Sequence, residues 1–577
     1  MPVHNADIAA VFSEIADLLE IQGANAFRVR AYRNAARAVN GYGRDLASLI
    51  GRGEAVPKLP GIGADLGAKL EEIARTGHSA FLDHLHKDWP AAVTTLLEIP
   101  GLGPKRVKIL YDNLHVHSLE ELDAAVRGGR LRSLPGFGPR TEENIRQAVA
   151  AHWTKARRFR LAVARPYAEA LVAYLQRLPG VRQVVVAGSF RRRQETVGDL
   201  DIVVAAKPGP FVTGRFAAYD EVSEVLSSGT TRASVRLRCG LQVDLRVVAE
   251  ESLGAALHYF TGAKAHSIAL RRLAQAQGLK INEYGVFRGR RRIAGATEES
   301  VYAAVGLPYI PPELRENRGE IEAARAGTLP VLVERRDLRG DLHSHTTQSD
   351  GRGSLEDMAR AAQTQGLRYL AITDHSPHLS VAHGLDPLRL AQQGVAIDAW
   401  NAAHPEITLL KGIEVDILED GGLDLPDTAL QPLDVVVGAV HSHFHLSRAQ
   451  QTERILRALD HPYLTLLAHP TGRLIGSREA YDVDMARIIR KARACGCHLE
   501  LNAQPERLDL ADIHCQMARA EGVLVSINSD AHAGTDFGFL EYGTDQARRG
   551  WLERGHVLNT RGLAELRPLL RRDRDLS

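Results

Sequence analysis

The chain has 577 residues, 44% hydrophobic and 25% charged, with 72 Lys and Arg against 70 Asp and Glu, a net charge of +2. That length exceeds a single core and predicts roughly three to five domains, while no eighteen-residue apolar run and no charged-then-apolar leader are seen, which excludes a membrane-spanning or visibly secreted class. Four cysteines, Cys239, Cys495, Cys497 and Cys515, exclude a disulfide framework and predict a reducing, cytoplasmic setting.

The balance of charge differs between the halves. Residues 1–336 carry 47 Lys and Arg against 36 Asp and Glu; residues 337–577 carry 25 against 34, with 15 of the 24 histidines. A basic front half fits a polyanionic partner, and an acidic, histidine-rich back half fits metal binding.

Helical periodicity opens the chain, with Ile8, Val11, Phe12, Ile15, Leu18 and Leu19 on one stripe. Three short repeats follow, Leu59-Pro-Gly-Ile-Gly63, Ile99-Pro-Gly-Leu-Gly103 and Leu134-Pro-Gly-Phe-Gly138, each leading into a helix-like segment. The paired glycines Gly61 and Gly63, Gly101 and Gly103, and Gly136 and Gly138 allow a tight turn that presents N–H groups to a phosphate, often through a monovalent cation. These resemble helix-hairpin-helix elements, a likeness that implies holding DNA by its backbone; Lys105, Arg106 and Lys108 after the second repeat suit the same task. Plain Pro-Gly turns are the alternative for any one copy.

Next, Val184-Val-Val186 runs into Gly188-Ser189, and ten residues later Asp199-Leu-Asp201 begins the apolar run Ile202-Val-Val204. In a strand, positions i and i+2 share a face, so Asp199 and Asp201 point the same way. Asp244 lies in another strand-like run, Leu241 to Val248. Three carboxylates on neighbouring strands form a hard oxygen cage for two Mg²⁺ ions, the arrangement for nucleotidyl transfer.

The joint pattern resembles the nucleotidyltransferase palm of the family X DNA polymerases, the DNA polymerase beta type. The resemblance implies that Asp199, Asp201 and Asp244 are catalytic metal ligands. It implies that Gly188, Ser189, Arg192 and Gly198 hold the triphosphate. His258-Tyr-Phe-Thr-Gly262 would pack the incoming sugar through Tyr259, Phe260 and Gly262, and Arg271 would contact the templating pair. Ser267 departs from the family's usual asparagine, which implies looser nucleotide selection. Towards the N-terminus the lyase nucleophile of the relatives falls on Lys69, with Asp65 where they carry a phosphate-binding lysine; a solvated helix lysine is the other reading.

In the C-terminal half come His343 and His345, Asp350, His375, Glu414, His441, His469, and Asp530 with His532, nearly all of them ending apolar runs such as Tyr369 to Ile372, Val435 to Val437 and Val523 to Ile527. Repeated strand-helix units with polar groups at strand ends are how a (β/α) barrel builds its active site. This half resembles the PHP domain, a distorted seven-stranded (β/α) barrel. The resemblance implies that these nine residues hold a cluster of Mn²⁺ or Zn²⁺ ions, three in number, since nitrogen and oxygen ligands without thiolate favour such metals. Arg473 reads either as a grip on substrate phosphate or as a surface residue.

The expected architecture is multi-domain: helix-hairpin-helix domains over 1–85 (lyase-like) and 86–152, an α/β palm over 153–250, a thumb over 251–315, a linker over 316–336 and the PHP barrel over 337–577. The expected function is gap-filling DNA synthesis in repair from dNTPs on DNA, by a monomer, with Mn²⁺-dependent 3′-5′ exonuclease or abasic-site cleavage in the barrel. The rival readings are a template-independent transferase and a polymerase with an inert structural barrel.

Overall fold

In the computed structural model, residues 5–40, 46–51, 59, 61–90, 92–156, 158–379 and 382–570 are described. The chain divides into two units, residues 1–157 and 158–577.

The first unit is helical, and its main helices span Asn5–Gln22, Ala26–Asn40, Ala64–Thr76, Ala80–Asp88, Pro104–Leu114, Leu119–Arg127 and Pro139–Ala156. One apolar cluster reaches from Ile8 to Val149, so both halves of this unit share a core. Ser79 and Ser118 cap their helices by accepting from the N–H groups of Leu82 and Glu121, which satisfies end donors the helix leaves unpaired. The three Pro-Gly repeats have one backbone form. Gly61, Gly101 and Gly136 sit at φ of +80°, +95° and +80°, where any side chain is strained. Gly63, Gly103 and Gly138 stand directly before the following helices, and a Cβ on any of these three would meet nothing within 4 Å.

In the second unit, a five-stranded palm sheet comprises β1 (Val181–Val186), β2 (Asp199–Ala206), β3 (Val222–Ser228), β4 (Arg232–Leu237) and β5 (Gln242–Val248), in the order β1-β2-β5-β4-β3. Only β2 and β5 pair in parallel. On β2, Leu200, Ile202 and Val204 face one core together with Leu171 and Leu175. Val203 and Ala205 face another with Leu253, Ala256 and Leu257. The period-two rule therefore puts Asp199 and Asp201 on the second face, at its N-terminal end.

The thumb follows, with helices Leu253–Thr261 and Lys264–Ala276 and an antiparallel sheet of β6 (Leu279–Asn282), β7 (Gly285–Arg288) and β8 (Arg291–Ala294). Its base is knotted by Arg315, fully buried, whose Nη1 donates 2.5 Å to Glu298, while Arg191 donates to the other Glu298 oxygen over 2.5 Å. The Arg315 guanidinium also lies 5.2 Å from the rings of Tyr302 and Tyr309. Removing one partner leaves a buried carboxylate under-compensated, so Arg315→Ala is expected to cost about 3–5 kcal/mol of stability, read as a lowered denaturation midpoint; a loss near zero would contradict the network. The stretch 316–336 does not run free: Ile321 and Ala324 join the thumb core.

Seven parallel strands complete the fold: β9 (Gly340–Asp341), β10 (Tyr369–Ile372), β11 (Thr408–Asp416), β12 (Val435–Ala439), β13 (Leu466–Leu467), β14 (His498–Asn502) and β15 (Val525–Asn528), each beside its neighbour in sequence. A bridge between Ser344 and Ala531 brings the two ends together, nearly closing the barrel. Leu370, Ile372, Leu499 and Leu501 face the surrounding helices. Tyr369, Ala371, Val435 and Val437 face inward with Leu558 and Leu566.

Palm and barrel meet along a seam rich in ion pairs. Arg165 donates to Glu541 and Asp545 at 2.5 and 2.8 Å, with its guanidinium 4.5 Å from the Tyr542 ring. Arg473 donates to Glu195 at 2.6 Å and to the Arg507 carbonyl, so it is part of the seam and does not lie free on the surface. No helix among the described residues is long and apolar enough to cross a membrane. All four cysteines are free thiols.

Candidate active sites

The parallel register of β2 and β5 sets Asp201 directly beside Asp244, with Asp199 two residues earlier on the same face. Burial, with Asp199 and Asp244 nearby, pushes the Asp201 carboxyl up to about 7. Acid groups crowded against one another with incomplete neutralisation form a cation site. Asp244 is oriented by Ser234, which donates to one oxygen, and by Gln242 Nε2, which donates to the other at 2.9 Å. Gly188, at φ +60°, is pressed against this cluster: a Cβ there would fall 2.2 Å from Asp201 Oδ2, so no other residue fits.

The one-turn helix Gly188–Arg191 carries Ser189 and delivers three consecutive arginines to three destinations. Arg191 goes to Glu298. Arg193 approaches Asp545 of the barrel at 3.5 Å. Arg192 stays beside the acidic cluster, its Nε donating to Glu316 at 2.9 Å and its Nη1 to the Thr261 carbonyl at 2.7 Å. Glu316 in turn accepts from Arg549, which also donates to the Arg192 carbonyl at 2.8 Å and to Asp512 at 2.6 Å. Gly198 lies beside Arg158, which donates to Thr196.

Tyr259 and Phe260 end their helix with rings 5.1 Å apart, edge to face. Arg271 covers Tyr259 at 5.7 Å and Arg246 covers Phe260 at 5.3 Å. A Cβ at Gly262 would meet the Ser267 hydroxyl at 3.1 Å, which places buried Ser267 beneath this turn. In the helical unit, Lys69 pairs with Asp65 at 2.5 Å and lies 5.7 Å from the Phe81 ring, which Arg28 also covers.

The nine barrel residues converge at the C-terminal ends of the strands. Three overlapping groups place their ligand atoms within 4.8 Å of one another: His345, Asp350, His375 and His532; His343, His345 and Asp530; and His375, Glu414 and His441. Glu414 is the hub, its carboxylate within 3.6 Å of nitrogens from His343, His345, His375, His441 and His469. Burial alone would raise this carboxyl, but His375, His343 and His441 hold it well below its ordinary range. Despite burial, Glu414 and Asp350 raise His375 to about 10, and Asp350 and Asp530 raise His532 to about 9. Burial and its histidine neighbours instead depress His345 to about 4. The Nε2 atoms of His343 and His345 are buried and, among the described residues, form no well-aligned hydrogen bond, although carboxylate oxygens of Glu414 and Asp530 lie 3.4 and 3.1 Å away. Orphaned imidazole nitrogens beside anionic oxygens are the donor set of a divalent metal cluster.

Sequence reasoning passed over the residues that orient these ligands. Glu500 accepts from His343 Nδ1 at 2.7 Å and Asp416 from His441 Nδ1 at 2.8 Å, the usual means of fixing a ligating imidazole. The signal existed in Leu499-Glu-Leu501, where a carboxylate interrupts an otherwise apolar buried strand.

Residues 256–316 match the DNA polymerase beta thumb, 341–493 the PHP domain, 3–79 a helix-hairpin-helix domain and 93–150 a SAM-like helix-hairpin-helix tandem. A beta-type polymerase core and a PHP barrel in one chain define a class with two phosphoryl-transfer sites, and such sites imply divalent metals. The chain belongs to the family X DNA polymerases that carry a C-terminal PHP domain: it is 38% identical over 575 residues, 99% of its length, to the full DNA polymerase/3′-5′ exonuclease PolX of Bacillus subtilis (strain 168). It is also similar to DNA polymerase lambda of Arabidopsis thaliana, at 25% identity over 54% of this chain and 62% of that one. The barrel half resembles a probable phosphatase of Thermoanaerobacter sp. (strain X514), at 28% identity over 38% of this chain and 89% of that protein.

Proposed function

We propose that the palm extends a DNA primer from dNTPs in short gaps during repair, and that the barrel hydrolyses phosphodiesters from 3′ ends or at abasic sites. The observation that carries the first reading is the side-by-side register of Asp201 and Asp244. Asp199, Asp201 and Asp244 would hold two Mg²⁺ ions, and the nine barrel residues a cluster of Mn²⁺ or Zn²⁺; such ions neutralise phosphate charge and activate an oxygen nucleophile. Asp244 takes the proton of the primer 3′-hydroxyl as O3′ bonds to the α-phosphorus, and the bond from that phosphorus to the α,β-bridging oxygen breaks to release pyrophosphate. Arg192, held at Nε and Nη1, presents a fixed charge to the triphosphate with Ser189, Gly188 and Gly198. Tyr259, Phe260, Gly262 and Arg271 line the sugar and templating side.

In the barrel, water adds to phosphorus and the O3′ of the preceding nucleotide leaves, taking up a proton. The glycine turns at 61–63, 101–103 and 136–138, with Lys105, hold the DNA backbone with a monovalent cation. Lys69 stands for the lyase step on an abasic sugar, where Asp65 and Phe81 surround its amine. A labelled gapped duplex, incubated with Mg²⁺ and then with Mn²⁺, tests both sites together: templated extension and 3′ shortening are expected, and untemplated addition would return the transferase reading.

Because Asp201 keeps its proton until about pH 7, a metal must displace that proton. As pH is raised towards 7 the apparent Mg²⁺ affinity for extension is expected to increase by up to about tenfold per pH unit, and above about pH 7 to level off. A half-saturating Mg²⁺ concentration that stays constant between pH 6 and 8 would contradict the assignment.

A further inference from the structure

Beside the histidine cluster lies a groove of about 410 Å³ lined by Phe444, Leu446, Gly472, Arg478 and Tyr481, within the size range of small-ligand sites. Its walls continue the two loops that carry His441 and His469. Phe444 comes three residues after His441, and Gly472 three after His469, with the Gly472 N–H donating to the His469 carbonyl at 2.9 Å. Phe444 and Tyr481 are nearly parallel at 6.1 Å. The Tyr481 hydroxyl donates to the Pro470 carbonyl. Gly472, at φ +60°, leaves the space that Tyr481 fills, since a Cβ there would fall 2.5 Å from its ring.

The groove also carries charge. The Arg478 guanidinium lies 4.4 Å from the Phe444 ring centroid, and its Nε donates to the Gly472 carbonyl at 2.9 Å. It forms no ion pair with any described residue, and burial, with Arg507 nearby, lowers its guanidinium below the usual arginine range. Arg507 in turn reaches to within 3.8 Å of Asp530 in the cluster. Glu479 and Asp482 also line the groove, but neither pairs with Arg478; an arginine stacked on an aromatic ring, with a second arginine towards the metal-binding side chains, matches a ligand having a flat π-surface at one end and a phosphate at the other. Nucleobases pack on aromatic rings and on guanidinium planes alike, without regard to sequence.

We propose that this groove is a nucleoside subsite: the 3′-terminal base of a DNA strand packs against the Arg478–Phe444 stack while its 5′-phosphodiester reaches the histidine cluster. The assignment rests on the nuclease reading of the barrel and adds to it the part of the substrate that fixes the strand end.

The test compares two single-stranded oligonucleotides, identical except that one ends in a normal nucleotide and the other in an abasic tetrahydrofuran residue, digested with Mn²⁺ by the full-length protein. Base stacking on such platforms predicts that the normal end is cut with a kcat/KM higher by about 5- to 150-fold. Arg478→Ala and Phe444→Ala should each shrink this preference towards unity, and Phe444→Trp should keep it. A variant that merely folded poorly would lose both rates equally and keep the ratio. Equal rates on the two ends by the unaltered protein, or an undiminished preference in both alanine variants, would overturn the subsite. If the unaltered protein cut neither end, the nuclease reading itself would fall.

Discussion

Asp201→Ala is expected to lower templated primer extension by at least about a thousandfold, because it removes the carboxylate that stands between Asp199 and Asp244 and is shared by any cation they hold. Digestion of 3′ ends in Mn²⁺ serves as the internal control and should persist, since no barrel ligand touches this residue. The substitution should also change stability in a way that loss of activity alone would not. In metal-free protein the Asp201 carboxyl has a folded value of about 7, above its ordinary 3.8. The folded state therefore binds the extra proton, and the associated stability is present at low pH and lost as pH rises from about 4 to about 7. Chemical denaturation in EDTA across that window should show this decline in the unaltered protein and a flatter profile in Asp201→Ala. Extension retained within tenfold, or an unchanged stability profile, would refute the cluster.

Glu414→Gln is expected to have the second largest effect. One carboxylate faces five imidazoles, and the amide keeps the shape while removing the charge that binds cations there. Metal measured by mass spectrometry on purified protein should fall by at least one ion per chain, and 3′-end digestion by at least about a hundredfold. Primer extension should continue. Full metal content in the variant would show that the hub is structural and would favour an inert barrel.

Much of both sites was legible in the sequence, because strands convert spacing into direction. Asp199-Leu-Asp201 reads as two groups on one face in any strand, and apolar runs ending in histidine read as strand ends at a barrel rim. What spacing could not supply is partnership across the fold. Three adjacent arginines, Arg191 to Arg193, look equivalent in sequence, yet one serves the thumb, one the acidic cluster and one the barrel. Arg473 follows a ligand histidine and invites a substrate role, but its partner Glu195 lies 278 residues away. Glu500 and Asp416 act through histidines, so only coordinates reveal them. Residues 316–336 have the mixed charge and Gly-Thr-Leu-Pro pattern of a tether, while Glu316 and Glu320 are tied to Arg549 and His266; pairing at such distances leaves no local periodicity.

The seam has a practical bearing on how the two activities can be separated. Arg549 of the barrel bonds the carbonyl of Arg192 and shares Glu316 with its guanidinium, and Arg165 and Arg193 find their carboxylates on the same barrel helix. Cutting the chain after residue 336 would strip Arg165 and Arg193 of their barrel carboxylates and remove the Arg549 contacts from Arg192 and Glu316 beside the acidic trio, so on the proposed reading a truncated polymerase is expected to bind nucleotide more weakly than the full chain. The hydrolytic barrel doubles as scaffolding for the synthetic site, and point substitutions, rather than excision, are the clean way to silence either one.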